Sequence, residues 1–371
     1  MALSRRRFFQ LAGTGFLLQS QLPKSLKARA VPGASAPEGR AVSGASKVAL
    51  IHGGDRRRNV HQALAAIDDQ IKAGLRQKKY VVIKPNNVST TNQLAATHLD
   101  ALNGILDYLE PRFRGPVIIA ESSAEDTLAG FENFRYSQAA AEHRARKVSL
   151  VDLNREGKYE LSPIIDRNLH VTPVRLAARL FDPDAYVISS AILKTHDLVV
   201  ATLSVKNMAM GAPLHSVAGE TRWDDKHKVH PDVREGNANM LLNAQKLQPN
   251  WGVALIDGFE GMEGNGPTHG TPVASHLAIA STDFVAADRV ALETMSINPD
   301  WVGYLTFAGR LGLGQYDLSK IDLVGGTTVA SVQKKYRLSD RIQRELQWMG
   351  PMAELPHNMS SLHQPHDFSV G

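Results

Sequence analysis

Residues 186–196 read YVISSAILKTH, a mostly apolar run that passes directly into Lys194, Thr195 and His196. A strand that is apolar on both faces is typical of a parallel sheet covered by helices on its two sides. Ligands of such sheets bind beyond the carboxyl ends of the strands, where loops and helix N-termini converge. The stretch therefore predicts an architecture and also the edge of the sheet at which a site is expected.

Similar short apolar runs alternate with longer amphipathic segments along the chain. The alternation predicts an α/β fold with a doubly wound, mainly parallel sheet and helices on both faces, arranged in one domain or two lobes. The candidate strands are residues 48–51, 80–83, 116–120, 148–151, 186–193, 253–256, 277–280 and 321–324. The candidate helices are residues 59–75, 97–109, 172–181, 238–247, 283–295 and 301–311.

Residues 1–30 begin with basic residues, continue with a short apolar run and end in a small-x-small pattern typical of a signal-peptide cleavage site. SRRRFFQ at residues 4–10 precedes the apolar run 11–18 and the ARA at residues 28–30. The order resembles a twin-arginine export signal, although Gln10 stands where a lysine is usual; the alternative is a basic N-terminal arm. The apolar run is far shorter than the roughly 20 residues that span a bilayer. We therefore expect export by the twin-arginine translocase, a periplasmic or other extracytoplasmic location, and no stable membrane span.

Charge and cysteine content exclude several classes of function. Six of the 42 Lys and Arg residues lie in residues 1–30, which contain no acid, so the rest of the chain carries 36 basic against 37 acidic residues. A nearly neutral chain offers no general basic field, and we expect no nucleic-acid partner. The chain has no cysteine, which excludes thiolate nucleophiles and cysteine-ligated iron–sulfur clusters. A bound divalent metal would need His, Asp, Glu or backbone oxygen.

The composition also divides the chain. Residues 31–46, VPGASAPEGRAVSGAS, are rich in Pro, Gly, Ala and Ser and predict a flexible linker. Residues 47–330 contain the alternating segments and form the predicted α/β domain. For residues 331–371 we predict a C-terminal helix and a loosely attached tail, because the chain from Met352 onward is polar and interrupted by prolines.

Polar clusters follow four candidate strands at the same predicted edge of the sheet. They are KPNN at residues 84–87, ESS at 121–123, KTH at 194–196 and DGFEG at 257–261. Lys84 directly continues a buried strand, so it needs a partner or a wet cleft. Lys194 and His196 point the same way in an extended chain and can together hold an oxyanion or a carboxylate. Asn86 and Asn87 could instead form only a turn, and the serines could only cap a helix.

Two further segments offer candidate ligands. Lys206 and Asn207 lie in SVKNMAMG at residues 204–211, where the alternative is a solvated helix surface. His227 and His230 are three residues apart, a spacing that shares one helix face and can ligate a metal. A mobile polar lid whose histidines have no special task is the alternative for this pair.

Residues 257–270, DGFEGMEGNGPTHG, hold five glycines and three acids. Glycines let the backbone turn over the edge of the sheet and approach a ligand closely. Asp257, Glu260, Glu263 and His269 can supply metal ligands or exchange protons. The spacing matches neither a dinucleotide fingerprint nor a phosphate-binding P-loop. We predict a loop that forms part of a site, and the alternative is a glycine-rich surface loop.

The order of six motifs resembles a large bacterial and archaeal family, domain of unknown function 362. The motifs are IKPNNVS (83–89), ATHLD (96–100), LKTH (193–196), SVKNMAMG (204–211), DGFEGMEGNGPTHGTP (257–272) and DFVAADRVA (283–291). The resemblance covers residues 48–326. It implies where a site lies, but it does not imply which reaction takes place there. Some relatives append a cysteine-rich, ferredoxin-like segment. A chain without cysteine gives no support to electron transfer through such a segment.

The leading hypothesis is an exported enzyme that acts on a small anionic substrate as an isomerase, lyase or hydrolase, with metal assistance left open. Its substrate-binding residues would be Lys84, Asn86, Asn87, Lys194, Lys206 and Asn207. Its catalytic residues would be His196, Asp257, Glu263 and His269. Its metal ligands would come from Asp257, Glu260, Glu263, His227 and His230. The alternative is a non-catalytic cell-envelope protein that binds an anion or a metal. A redox protein with a dissociable nucleotide is a weaker third option, because the fingerprint is missing.

Overall fold

A computed structural model of the chain describes residues 44–144, 147–215 and 224–350. These residues belong to one compact unit, Ala41–Gly371. The predicted export signal, nearly all of the predicted linker and the tail from residue 351 lie outside the described residues.

A large mixed sheet forms the centre of the described part of the chain. Its strand order is β11-β1-β10-β9-β7-β2-β3-β4, with β8 paired to β7, and β5 and β6 form a separate antiparallel pair. Strands β9, β7, β2, β3 and β4 run parallel, whereas β10 runs antiparallel to both of its neighbours. The strands are β1 (Ser46–His52), β2 (Tyr80–Pro85), β3 (Val117–Glu121), β4 (Val148–Asp152), β5 (Tyr159–Ile165), β6 (Val171–Ala177), β7 (Ala185–His196), β8 (Val200–Thr202), β9 (Trp251–Asn265), β10 (His269–Ser281) and β11 (Ile321–Val324).

Helices cover both faces of this sheet, and an apolar core lies under each layer. Helices α7, α9, α10 and α11 pack on one core, and helices α1, α2, α3 and α5 pack on the other. The helices are α1 (Arg56–Ala65), α2 (Asp68–Leu75), α3 (Leu99–Leu109), α4 (Thr127–Asn133), α5 (Tyr136–Glu142), α6 (Leu153–Glu156), α7 (Ser204–Gly211), α8 (Asp225–Val229), α9 (Val233–Leu247), α10 (Phe284–Thr294), α11 (Gly303–Arg310), α12 (Val329–Val332) and α13 (Ile342–Glu345). None of these described helices is long and apolar enough to cross a bilayer.

The strand order reverses between β2 and β7. From β2 the chain runs outward through β3 to β4, and it then returns to the other side of β2 to form β7 and, later, β9. Loops leaving two neighbouring strands in opposite directions open a crevice at their carboxyl ends. Every residue of β7 is buried, as its apolar sequence predicts. The predicted α/β class and doubly wound arrangement are therefore confirmed.

Two local predictions are wrong. Residues 172–181 form strand β6 and a short 3-10 helix, Ala178–Phe181, instead of an α-helix. Val171, Thr172 and Val174 favour extended backbone, and a proline between them is tolerated in a two-stranded ribbon with open edges. The glycine-rich stretch from Asp257 to Asn265 is also not a loop, because it continues strand β9 and pairs with β10.

The segment after α12 packs back onto the domain. Tyr336, Ile342 and Leu346 are buried in the core that α7 and α9 share. Glu345 is also buried, and its Oε2 accepts a hydrogen bond of 2.8 Å from the backbone amide of Val200. This contact joins the C-terminal segment to strand β8.

Candidate functional site

A cleft of about 200 Å³ opens at the carboxyl ends of β2, β3 and β7, beside α7 and α8. It is smaller than the roughly 300–1,000 Å³ pockets that hold drug-sized ligands, so it suits a small molecule. Six residues that the sequence suggested for substrate binding or catalysis line this cleft: Lys84, Asn86, Asn87, His196, Lys206 and Asn207. The reversal of strand order brings them together from three separate segments.

A buried ion pair forms the floor of the cleft. The Nζ of Lys84 donates to both carboxylate oxygens of Glu121, at 2.8 and 3.0 Å. The same carboxylate accepts the backbone amides of Ser122 at 2.8 Å and Asn87 at 3.1 Å. Burial lowers the pKa of the Lys84 ammonium, and the charge of Glu121 opposes that shift. Glu121 was not among the proposed site residues, although it ends a buried strand as Lys84 does.

An asparagine pair links this floor to Lys194. The Oδ1 of Asn207 accepts hydrogen bonds from Asn86 at 3.0 Å and from Lys84 at 3.3 Å. The Nζ of Lys194 donates to Asn86 Oδ1 at 2.7 Å and to the carbonyl of Ala95 at 3.0 Å. Lys194 is therefore a fully buried support behind the cleft wall, and its own hydrogen bonds are already used.

Lys206 lies on α7, and its side chain reaches the cleft. It is only 6% exposed, yet within the described residues its ammonium has no hydrogen-bond or ion-pair partner. Burial lowers the pKa of Lys206 to about 8, and the negative charge of Asp197 opposes that shift without a direct ion pair. A buried cation without a direct ion-pair partner is costly. Helix α7 is held at its start by Asp288, whose carboxylate accepts the amides of Ser204 at 2.8 Å and Val205 at 3.0 Å.

Lys226 is a fourth lysine at the cleft, and the sequence analysis missed it. It comes from α8 and donates to the carbonyls of Pro213 at 2.6 Å and Met210 at 3.1 Å. Burial lowers the pKa of Lys226 to about 7. Its position caps the carboxyl end of α7, where unpaired carbonyls attract a cation. The polar character of residues 214–235 indicated the segment but not this residue.

Two imidazoles meet at the cleft with their ring centroids 5.6 Å apart: those of His196 and His230. The Nδ1 of His196 accepts the backbone amide of Leu198 at 2.9 Å, which places the proton of the neutral ring on Nε2. Burial and the nearby charge of Lys206 lower the pKa of His196 well below its usual value and that of His230 to about 3. Both rings are therefore neutral near pH 7. His227 lines the rim, where its ring is exposed and pairs with Asp224.

Five polar atoms at the cleft have no partner within the described part of the chain, although solvent does not reach them. They are Asn87 Nδ2, Asn87 Oδ1, Ser123 Oγ, Thr202 Oγ1 and His230 Nε2. Buried polar groups in folded proteins almost always have a hydrogen-bond partner, so such a concentration at one cleft indicates a place for a polar ligand.

Asp257 lies away from the cleft. It forms an ion pair of 3.2 Å with Arg56, and its Oδ1 accepts the backbone amide of Phe259 at 2.9 Å. Because side chains alternate along a strand, Asp257 points to the face covered by α1 and α3, whereas Lys84 points to the face covered by α7. Burial raises the pKa of Asp257, and Arg56 opposes that shift. The structure thus does not bring Asp257 to the lysines.

The other three candidate residues of the glycine-rich stretch, Glu260, Glu263 and His269, also lie outside the cleft lining. Glu260 and His269 are exposed. Glu263 accepts the backbone amide of Arg337 at 2.8 Å, a contact with the C-terminal segment. The stretch reaches the cleft through Pro267 alone among its described residues. Its glycines therefore shape the hairpin, and its acids do not reach the lysines.

The proposed metal ligands do not come together either. In the part of the chain that the structure describes, three His or carboxylate ligand atoms lie within 4.8 Å of one another only at Asp107, Glu110 and His143. This group could hold a divalent ion. However, Asp107 already accepts hydrogen bonds of 2.5 and 2.7 Å from Arg57. The group belongs to the carboxyl end of α3 and the end of α5, away from the cleft.

The fold and the cleft define a class: an α/β sandwich with a lysine-rich cleft where the strand order reverses. Within that class, the chain belongs to the family described as Domain of unknown function (DUF362), whose model matches residues 81–293. The matched region runs from β2 into α10 and includes the four lysines of the cleft. The resemblance drawn from the six motifs is thereby confirmed.

Two individual proteins are also similar to parts of the chain. The thylakoid-associated protein sll1697 of Synechocystis sp. is 30% identical over 140 residues, which are 38% of this chain and 41% of that protein. The chain thus spans less than half of that relative's length. A crystal structure of a Thermotoga maritima protein aligns with 55% of this chain and 53% of its own, at 12% identity and a TM-score of 0.34.

Proposed function

We propose that the protein is an enzyme that acts on a small anionic metabolite held in the cleft. The observation that supports this best is Lys206, a buried cation at the cleft with no acceptor among the described residues. An anion in the cleft would supply the direct ion-pair partner that Lys206 lacks among the described residues. Rotation of the Ser123 and Thr202 side chains, which line the cleft, would let their hydroxyls hydrogen-bond to the rest of the ligand.

Each cleft residue has a role in this proposal. Lys206 and the Nε2–H of His196 bind the anionic group, because both residues line the cleft and both can donate. Lys84, Asn86 and Lys194 position the cleft wall through hydrogen bonds that are already complete. They are supports, and Lys206 is the residue free to meet a ligand.

The chemistry proposed is proton transfer within a water-poor cleft. Burial lowers the pKa of Lys206 to about 8, so its amine can give and take a proton near neutral pH, as general acid–base catalysis requires. An isomerase, a lyase and a hydrolase all use such a step. Asp257, Glu263 and His269 have no part in it, because they lie outside the cleft.

Calorimetric titration of the purified protein with small carboxylates and with inorganic phosphate tests this proposal. We expect binding to the wild type and roughly 10- to 100-fold weaker binding to Lys206→Met, the loss typical of a hydrogen bond to a charged group. Lys335→Met is the control, because Lys335 is exposed and lines neither the cleft nor the other basic concavity. Equal affinity in the wild type and in Lys206→Met would refute the assignment.

Turnover separates the enzyme from its rival, a binding protein. Mixtures of each bound anion with the protein can be followed by proton NMR. Conversion that disappears in Lys206→Met supports the enzyme. Tight binding without conversion of any bound anion would favour the binding protein.

We also propose that the protein is exported, on the basis of the SRRRFFQ pattern at residues 4–10. The twin-arginine route requires the paired arginines, so replacing Arg5 and Arg6 by lysines should keep the protein in the cytoplasm. Cell fractionation of both forms measures this. Equal amounts outside the cytoplasm would contradict the proposal.

A further inference from the structure

The lysines of the cleft differ in how their ammonium hydrogens are used. Three of the four donate to protein oxygens, and only Lys206 has no acceptor among the described residues. Lys84 donates to Glu121, Lys194 to Asn86 and to the carbonyl of Ala95, and Lys226 to the carbonyls of Met210 and Pro213. A nitrogen enclosed by oxygens has no room for a carbon electrophile. Lys206 is thus the amine that a substrate atom can approach.

The surroundings of Lys206 disfavour its protonated form. Burial lowers its pKa to about 8, so a substantial fraction of the amine is neutral at a slightly alkaline pH. A neutral, desolvated lysine is the usual nucleophile of Schiff-base enzymes. Burial lowers the pKa of Lys226 further, to about 7, but its nitrogen faces carbonyl oxygens. The two lysines can therefore be told apart by access.

We propose that Lys206 forms a Schiff base with the carbonyl carbon of a small 2-oxo acid bound in the cleft. This inference rests on the proposed function, and it names the substrate class: an anion with a carbonyl group beside its carboxylate. The carboxylate would accept the Nε2–H of His196 and, after rotation of their side chains, the hydroxyls of Ser123 and Thr202, which have no other partner in the described residues.

The condensation is balanced. The lone pair of Lys206 Nζ attacks the carbonyl carbon, and the electron pair of the C=O bond moves to oxygen. A proton passes from nitrogen to that oxygen, which gives a carbinolamine. The hydroxyl group then takes the remaining nitrogen proton, the C–O bond breaks to release water, and the nitrogen lone pair forms C=N. One water leaves for each Schiff base formed, and no oxidant or reductant takes part.

The position of Lys206 is rigid, as a covalent catalytic residue requires. It lies in the first turn of α7, which Asp288 anchors through the amides of Ser204 and Val205. The next residue, Asn207, is held by Ser189 at 3.0 Å. The amine is therefore delivered from a fixed backbone, and its side chain alone can adjust.

Reductive trapping tests the inference. The wild-type protein is incubated at a pH of about 8 with glyoxylate or pyruvate and sodium cyanoborohydride, and intact mass and peptide mapping follow. We expect one adduct for each chain, located on Lys206. Glycolate and lactate, which have no carbonyl group to condense, should give none. Lys206→Arg should lose the adduct, and the exposed-lysine control Lys79→Arg should keep it.

The outcomes separate the inference from the proposed function. An adduct on Lys226, on exposed lysines, or on no residue overturns the Schiff base. If lactate or phosphate still binds in calorimetry in that case, the anion-binding cleft stands without covalent chemistry. If neither anions nor oxo acids bind, both proposals fail. Peptide mapping of the wild type decides the matter even if Lys206→Arg does not fold.

Discussion

Lys206 has a cost for folding as well as a use. A lysine with a pKa near 8 in the folded protein and 10.5 in the unfolded chain binds fewer protons when folded between those pH values. Stability therefore rises as the pH increases from about 8 to about 10.5. Below that window the buried charge costs on the order of 3 kcal/mol.

Lys206→Met should remove this cost. We expect the variant to be more stable than the wild type at pH 6–7, by up to about 3 kcal/mol, with the difference shrinking towards pH 10. Urea unfolding followed by tryptophan fluorescence across this pH range measures it. A stability difference that does not vary with pH would contradict a charged, unpaired Lys206.

Removing one charge of the Lys84–Glu121 pair should lower the stability of the folded protein, whereas removing the charge of Lys206 should raise it. The reason is that the two charges of the pair compensate each other. Glu121→Gln leaves the fully buried Lys84 ammonium without its carboxylate. Removing one partner of a buried pair costs about 3–5 kcal/mol. Urea unfolding should show that loss, and Glu260→Gln, at an exposed position on β9, should change stability little. A loss below about 1 kcal/mol for Glu121→Gln would mean that the pair is not formed.

Gly211 makes room for the same lysine. A Cβ at this position would collide with the end of the Lys84 side chain, which is locked by Glu121. Gly211→Ala should therefore cost about 1–3 kcal/mol, although alanine favours helices elsewhere. Thermal unfolding measures the change. Gly54→Ala is the control, since nothing lies within 4 Å of the added carbon there.

At the scale of elements, the short helix α8 depends on one buried carboxylate. Asp225 is fully buried, and its Oδ2 accepts the backbone amide of Arg175 on β6 at 2.7 Å. The same helix carries Lys226 to the cleft. The β5–β6 ribbon thus supports one wall of the site.

Asp225→Ala should release this wall. We expect faster hydrogen exchange of the amides in α8 and weaker anion binding, because Lys226 and His230 lose their fixed positions. Asp225→Asn, which keeps an acceptor for the Arg175 amide, should have a smaller effect. Exchange followed by mass spectrometry measures both variants. Unchanged protection of α8 in Asp225→Ala would show that other contacts hold it.

The strands of the main sheet could largely be predicted from the sequence, and the edge elements could not. All eight candidate strands exist, because burial on both faces leaves a local apolar signal. Strand β6 has no such signal, since it is defined by its pairing with β5 and by the contact of Arg175 with Asp225. The extension of β9 through residues 257–265 could not be predicted, because glycines are typical of flexible backbone. These glycines nevertheless lie in a strand that pairs with β10.

The residues of the site could likewise be predicted only where the signal is local in the sequence. Lys84 and Lys194 could be identified because a charge that continues a buried strand is rare. Asp257 also continues a strand, but it points to the other face, and a strand register is not visible in one sequence. Lys226 was missed because its burial arises from contacts with the end of α7, far away in the chain.

At the scale of the molecule, the described residues include a second basic surface besides the cleft. It is an open concavity at the amino-terminal ends of β2 and β3, the opposite edge of the sheet. It is lined by Lys72, Arg76, Lys78, Lys79, Arg112 and Arg114, among others. Its cations are hydrated or paired on the surface, where an anion gains little. The cleft differs because Lys206 is buried there and five polar atoms of its lining lack partners among the described residues.

A crystal structure of the protein grown with a small carboxylate tests the central claim most directly, because it shows which of the two basic regions binds the anion. We predict density for the carboxylate in the cleft, within about 3 Å of Lys206 Nζ and His196 Nε2. A cleft filled only by water, with the carboxylate bound at the surface beside Arg114, would contradict the account.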